Sequence, residues 1–83
     1  MYQNNPNPFD EDTEIRFYIP AKSSTAMLYF YNMQGNQIKS IYLDQRGAGK
    51  ETIHGSDLQP GMYMYTLIVE GQEIDTKRMI LTD

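Results

Sequence analysis

The stretch Leu58-Gln59-Pro60-Gly61-Met62-Tyr63-Met64-Tyr65-Thr66-Leu67 turns once and then runs straight. Pro60 fixes its own φ, and Gly61 takes a positive φ at no steric cost, so the turn falls on this pair. Beyond it, Tyr63, Tyr65, Leu67 and Val69 share one face of an extended strand, and Met62, Met64, Thr66 and Ile68 share the other. Both faces are mostly apolar, which predicts a central strand covered at least partly on each side. Leu58, Gly61 and Tyr63 at the strand entrance also suggest a tyrosine corner, in which a tyrosine hydroxyl bonds back to backbone a few residues upstream. A tight turn into a core strand without that tether reads equally well from the residues.

Upstream of this stretch the chain also alternates. Ile15, Phe17 and Ile19 fall on one face of a strand that Pro20 stops. Ala26, Leu28 and Phe30 oppose Met27, Tyr29 and Tyr31 on the next strand, and Gly35 supplies a positive-φ residue for the turn after it. The return strand, Gln37 to Leu43, has its apolar residues at Ile38, Ile41 and Leu43, so the period slips once and predicts a bulge near Lys39-Ser40. Arg46-Gly47-Ala48-Gly49 reads as a loop, and Glu51 to His54 as a short strand with Ile53 inward. Downstream, Glu70-Gly71-Gln72-Glu73 reads as a hairpin turn and Ile74 to Leu81 as the returning strand.

Six or seven strands with turn signals roughly every ten residues, and no helical periodicity, predict a small all-β antiparallel sandwich. Its predicted core is Phe17, Leu28, Phe30, Ile41, Ile53, Leu58, Tyr65 and Leu67. Residues 1–10 read as an extended lead-in, because Pro6, Pro8 and the surrounding asparagines forbid a helix; Phe9 is its anchor on the core. Residues 11–83 read as the sandwich, and the whole chain as one domain.

Composition narrows the function. A net charge of −4 with only Lys77-Arg78 adjacent among the cations leaves no electrostatic footprint for nucleic acid or an anionic membrane. No apolar run approaches the ~20 residues that span a bilayer, so no membrane insertion is expected. Met1 leads straight into Tyr-Gln-Asn-Asn-Pro, which does not read as a secretory leader. The absence of cysteine removes disulfides and thiolate metal sites and leaves the compartment open.

Catalytic groups are sparse. His54, Ser56 and Asp57 have the composition of a hydrolase triad, but all three lie at one strand end, where they cannot converge as a relay. Asp10, Asp12 and Glu14 alternate. An EF-hand loop needs glycine and glutamate where Ile15 and Ala21 stand, so a solvated acidic turn is the better reading. Gly47-Ala48-Gly49-Lys50 lacks the spacing of a phosphate loop. No cofactor and no enzymatic activity are expected. Tyr29, Tyr31, Met62 and Met64 read first as a second core face and second as an exposed apolar stripe. Lys77-Arg78, ahead of Met79-Ile80-Leu81, reads first as charge that guards an aggregation-prone strand and second as a recognition feature.

Taken together, five blocks resemble a family. They are Tyr2 to Phe9, Thr13 to Phe17, Tyr31 to Gly35, Leu58 to Tyr65 and Thr76 to Leu81. Their order and spacing resemble the C-terminal sorting domain of the type IX (Por) secretion system of Bacteroidetes. The resemblance implies an immunoglobulin-like antiparallel sandwich behind an upstream cargo. It implies recognition by the secretion translocon after passage to the periplasm, processing by a sortase-like protease, and delivery to the cell surface or medium. The family's basic-basic-apolar terminal motif falls on Lys77, Arg78, Met79 and Ile80, the implied translocon-recognition residues. The structural motifs fall on Pro8, Phe9, Gly35, Leu58, Gly61 and Tyr63. Asp10-Glu11-Asp12 is more acidic than the family's turn, and the segment from Ala48 to Leu58 is shorter. Two other functions remain open from the residues alone: a structural end-cap of a surface or fibre protein, and a small adhesion or glycan-binding module using Tyr29 and Tyr31. The oligomeric state is not legible.

Overall fold

The period-two segments become six strands in a computed structural model that describes residues 1–83. They are β1 (Asp12–Ile19), β2 (Ala26–Asn32), β3 (Gln37–Tyr42), β4 (Gly47–His54), β5 (Gly61–Val69) and β6 (Gln72–Leu81). A single 3-10 turn, Gly55–Asp57, follows β4. All pairings are antiparallel. One sheet is β1-β4, and the other runs β3-β2-β5-β6. The protein is therefore a small all-β sandwich of two unequal antiparallel sheets.

Alternate residues of β1, β2 and β5 enter the core, with fewer from β4 and β6. Ile15, Phe17 and Ile19 from β1 and Ile53 from β4 join Ala26, Leu28, Phe30, Tyr65, Leu67 and Met79 of the larger sheet in one cluster. Fully burying each such side chain is worth about 1.5–3 kcal/mol, so this layer is the main source of stability. Six of the eight expected core residues are buried. Ile41 and Leu58 are only half-buried and pack against the cluster from its margin. Ile41 is at the margin because β3 is an edge strand.

Turns match their residues closely. Val69 pairs with Gln72, so the β5–β6 hairpin is a two-residue turn on Glu70 and Gly71. Their φ values of 52° and 78° are the positive pair that a mirror-image turn requires, and the Glu70 N–H is held by the carbonyl of Thr25. Gly35 sits at φ 87°, and the Asn32 carboxamide oxygen accepts the N–H groups of Gln34 and Asn36 at 3.0 Å each.

Two expectations need correction, and one bulge has no counterpart in the sequence pattern. The β3 bulge is one residue earlier than its pattern indicates. Phe30 pairs with Lys39 and Tyr31 with Gln37, which leaves Ile38 as the extra, exposed residue. A second bulge, on β6, leaves Ile74 exposed in the same way, between Glu73 opposite Ile68 and Asp75 opposite Leu67. Finally, Gly47-Ala48-Gly49-Lys50 is not a loop but the first half of β4, paired with Arg16 to Ile19. Gly49 makes this possible. A Cβ there would lie 2.7 Å from Phe17 Cε1 and 2.6 Å from Gln45 Oε1. The Gln45 carboxamide in turn occupies the outer edge of β4, accepting the Lys50 N–H at 3.1 Å and donating to the Lys50 carbonyl at 2.9 Å.

Candidate functional site

The strand that carries Lys77-Arg78-Met79-Ile80 is β6, an edge of the four-stranded sheet. Its pleat divides the four residues between two faces. Met79 lies opposite Tyr63 and is buried in the core; Lys77 lies opposite Tyr65 on the same inner face. Arg78 and Ile80 lie opposite Met64 and Met62 on the outer face. The motif is therefore divided between the two faces of the strand. Lys77 reaches along the inner face to Asp75, 3.8 Å away. Inward charge of this kind discourages an edge strand from pairing with another chain. The exposed Arg78 guanidinium makes no ion pair or hydrogen bond within the chain.

The open side of β6 is covered by the lead-in. The N–H of Phe9 donates to the carbonyl of Ile80 at 2.9 Å, and the N–H of Thr82 donates to the carbonyl of Phe9 at 2.8 Å. The Asn7 carboxamide oxygen accepts the Ile80 N–H at 2.9 Å, and Gln3 Nε2 donates to the carbonyl of Arg78 at 2.5 Å. The same segment pairs with the free edge of β1. Tyr2 donates to the carbonyl of Arg16, and Asn5 exchanges both backbone bonds with Glu14. Residues 2–9 thus stitch one edge of each sheet together, with Phe9 buried between them. Pro8 precedes that anchor, and the chain bends at residues 6–8 between its contacts on β1 and on β6.

A buried polar network fastens the stitch. Asn4 and Thr13 are both almost fully buried, at 3% and 2% exposure. Asn4 Nδ2 donates to Thr13 Oγ1 at 3.0 Å, Thr13 Oγ1 donates to the carbonyl of Pro6 at 2.7 Å, and the Tyr65 hydroxyl donates to the carbonyl of Tyr2 at 3.2 Å. No buried side-chain nitrogen or oxygen lacks a partner, as a network in a low-dielectric interior requires. Burial pushes the Tyr65 hydroxyl above the usual tyrosine range; the Asn4 N–H pulls it part of the way back, and the Asp75 charge pushes it up. Sequence reasoning missed Gln3, Asn4 and Asn7, because nothing in an Asn/Pro-rich run distinguishes a buried polar side chain from a solvated one. It missed Thr13 because that residue stands between two acidic neighbours, Asp12 and Glu14.

At the corner before β5, the Tyr63 hydroxyl donates to the carbonyl of Gln59, four residues upstream. Tyr63 is 7% exposed, so the hydroxyl is tethered beside the core, as a tyrosine corner is. Leu58 packs at the margin of the core beneath it, and Gly61 opens β5.

Tyr29, Tyr31, Met62 and Met64 do not form a second core face. They lie on the outer face of the four-stranded sheet, where no second layer covers them, and they remain half-buried or exposed. Side chains from neighbouring strands shield one another there. Thr66, at the centre of the face, is buried and shares a 2.9 Å hydroxyl contact with Thr76. The Tyr29 and Tyr31 rings meet edge-on at 78°, so they do not offer one flat platform.

The charged groups singled out by composition go to separate partners. His54 Nδ1 lies 2.9 Å from Asp12 Oδ1, across the β1–β4 pair, and Asp57 lies 4.0 Å from Lys39. His54 and Asp57 therefore do not converge. Glu14 contacts Arg16 at 2.9 Å and Lys50 at 3.6 Å, and its bond to Arg16 holds its carboxyl below the usual range against the opposing effect of desolvation. Asp10, Asp12 and Glu14 do not share a partner.

A small antiparallel sandwich with a tyrosine corner, closed along one side by its own lead-in, is a β-domain of the immunoglobulin-like class. Residues 5–82 match the family described as the secretion system C-terminal sorting domain, that of type IX secretion, and the chain belongs to this family. Membership assigns it a role as a C-terminal secretion signal and implies export and interaction with the type IX machinery. No curated protein matches the chain, and no solved structure matches it.

Proposed function

We propose that this domain directs a larger exported protein through the type IX translocon to the cell surface, acting by recognition and not by catalysis. Family membership over residues 5–82 is the observation that carries this reading. The structure is compatible with it: the chain's own residues form one core, and the terminal strand β6 lies at a sheet edge with one face open. In this reading the cargo lies upstream, a sortase-like protease acts after translocation, and the folded domain is what the machinery reads.

The test is a reporter with an export signal, produced in a host with type IX machinery, with and without this domain fused behind it. The fused reporter should become accessible to protease added outside intact cells, while the unfused reporter stays in the periplasm. A fused reporter that carries a folded domain and still remains periplasmic overturns the proposal and leaves the end-cap reading in its place.

A further inference from the structure

We infer that the outer face of the four-stranded sheet, with Arg78 at its rim, is the surface by which the sorting partner holds the folded domain. The inference rests on the sorting reading above. It names which face of the terminal strand is used and which of its two cations matters.

The other approaches to β6 are occupied. Its inner face is core at Met79, and Lys77 on that face is engaged with Asp75. Its edge is closed to strand addition along the terminal half, because Gln3, Asn7 and Phe9 already take the carbonyl of Arg78, both backbone groups of Ile80 and the N–H of Thr82. The outer face alone is uncovered. Tyr29, Tyr31, Met62, Met64 and Ile80 make it apolar across three strands. Surface of that kind, rimmed by polar groups, marks protein contact sites.

Charge on this face specifies the partner. Register places Arg78 as its one cation and Glu73 as its one carboxylate, both exposed and neither in an ion pair within the chain. They stand roughly 15 Å apart along β6 at strand rise. The complementary partner is a protein surface that is apolar in the middle, with an acidic group opposite Arg78 and a basic group opposite Glu73. One cation on a chain of net charge −4 does not suit an anionic lipid surface. Two rings set at 78° do not suit a stacked sugar.

The experiment uses the fused reporter with four domains: unaltered, Arg78→Glu, Met64→Lys and Lys77→Ala. Each purified domain is also melted in urea and run in a sedimentation experiment. Display of the unaltered fusion establishes the sorting reading independently, so its loss is distinguishable from failure of this inference. Arg78→Glu and Met64→Lys should each cut display by about tenfold or more while the urea midpoint of Arg78→Glu stays in place, because a lost interface charge pair acts on binding. Lys77→Ala should still be displayed. Full display of Arg78→Glu, or loss of display confined to Lys77→Ala, overturns the inference. A dimer of the unaltered domain that Arg78→Glu dissociates also overturns it, since the occupant is then a second copy.

Discussion

The hydroxyl of Tyr65 accepts the backbone N–H of Asn4 at 2.8 Å, across 61 residues of chain. A phenol on the central strand thereby holds the segment that closes the sandwich. Tyr65→Phe strands the Asn4 N–H in a buried position and removes the bond to the Tyr2 carbonyl, so it should cost about 1–3 kcal/mol in urea melts. Asn4→Ala in the same network should not add to it, with a coupling of roughly 0.5–3 kcal/mol in the double-mutant cycle. Strictly additive losses show that the two residues act separately.

Alkaline stability follows from the same hydroxyl. Its pKa is raised in the folded state, so the folded chain holds a proton that the unfolded chain releases near the ordinary tyrosine value of about 10. The contribution is fully present below that pH and is lost as pH rises through the folded value. Unfolding free energy should therefore fall with pH above about 10, and Tyr65→Phe should fall less steeply. Parallel profiles for the two proteins refute the assignment.

Tyr63→Phe removes a single donor to the Gln59 carbonyl and leaves the ring in place. The expected loss is about 1 kcal/mol, read as a lower urea midpoint with an unchanged slope. An unshifted midpoint means that the tether contributes nothing.

Gly55→Ala tests the junction between β4 and the lead-in side of the fold. A Cβ there would sit 2.6 Å from the backbone carbonyl oxygen of Glu11 and 3.0 Å from Leu81 Cδ1. Backbone cannot swing aside, so overpacking of about 1–3 kcal/mol is expected. Gly35→Ala meets no atom within 4 Å and should cost only the strain of its positive φ, about 1 kcal/mol. Equal losses at the two glycines contradict the packing argument.

Strand existence was legible because each core strand alternates, and Ile15-Phe17-Ile19 or Ala26-Leu28-Phe30 can bury only one way. The assignment of faces was not. Both sides of β2 and β5 are apolar, so Tyr29 and Met64 look as buried as Leu28 and Tyr65. The decision belongs to β1 and β4, which cover only one side. Bulges are equally hidden: Ile38 and Ile74 look like core residues until pairing leaves each one over. At the terminal motif the four residue types were readable, but their division between faces depends on register with β5. The lead-in was readable only as non-helical, because its partners are backbone groups far along the chain.

The stitch between the two sheets has a mechanical meaning. Any tension on chain upstream of Tyr2 reaches the sandwich through residues 2–9, and reaches them in order: the Tyr2–Arg16 bond first, then Gln3, Asn4 and Asn5, then Asn7 and Phe9. Contacts taken one at a time peel at low force, whereas contacts loaded together resist. The Tyr2 and Asn5 steps free the edge of β1, and the Gln3, Asn7 and Phe9 steps free the edge of β6. A pull from the upstream side is thus converted into exposure of the terminal strand, and only its last step draws a core residue, Phe9, out of the sandwich.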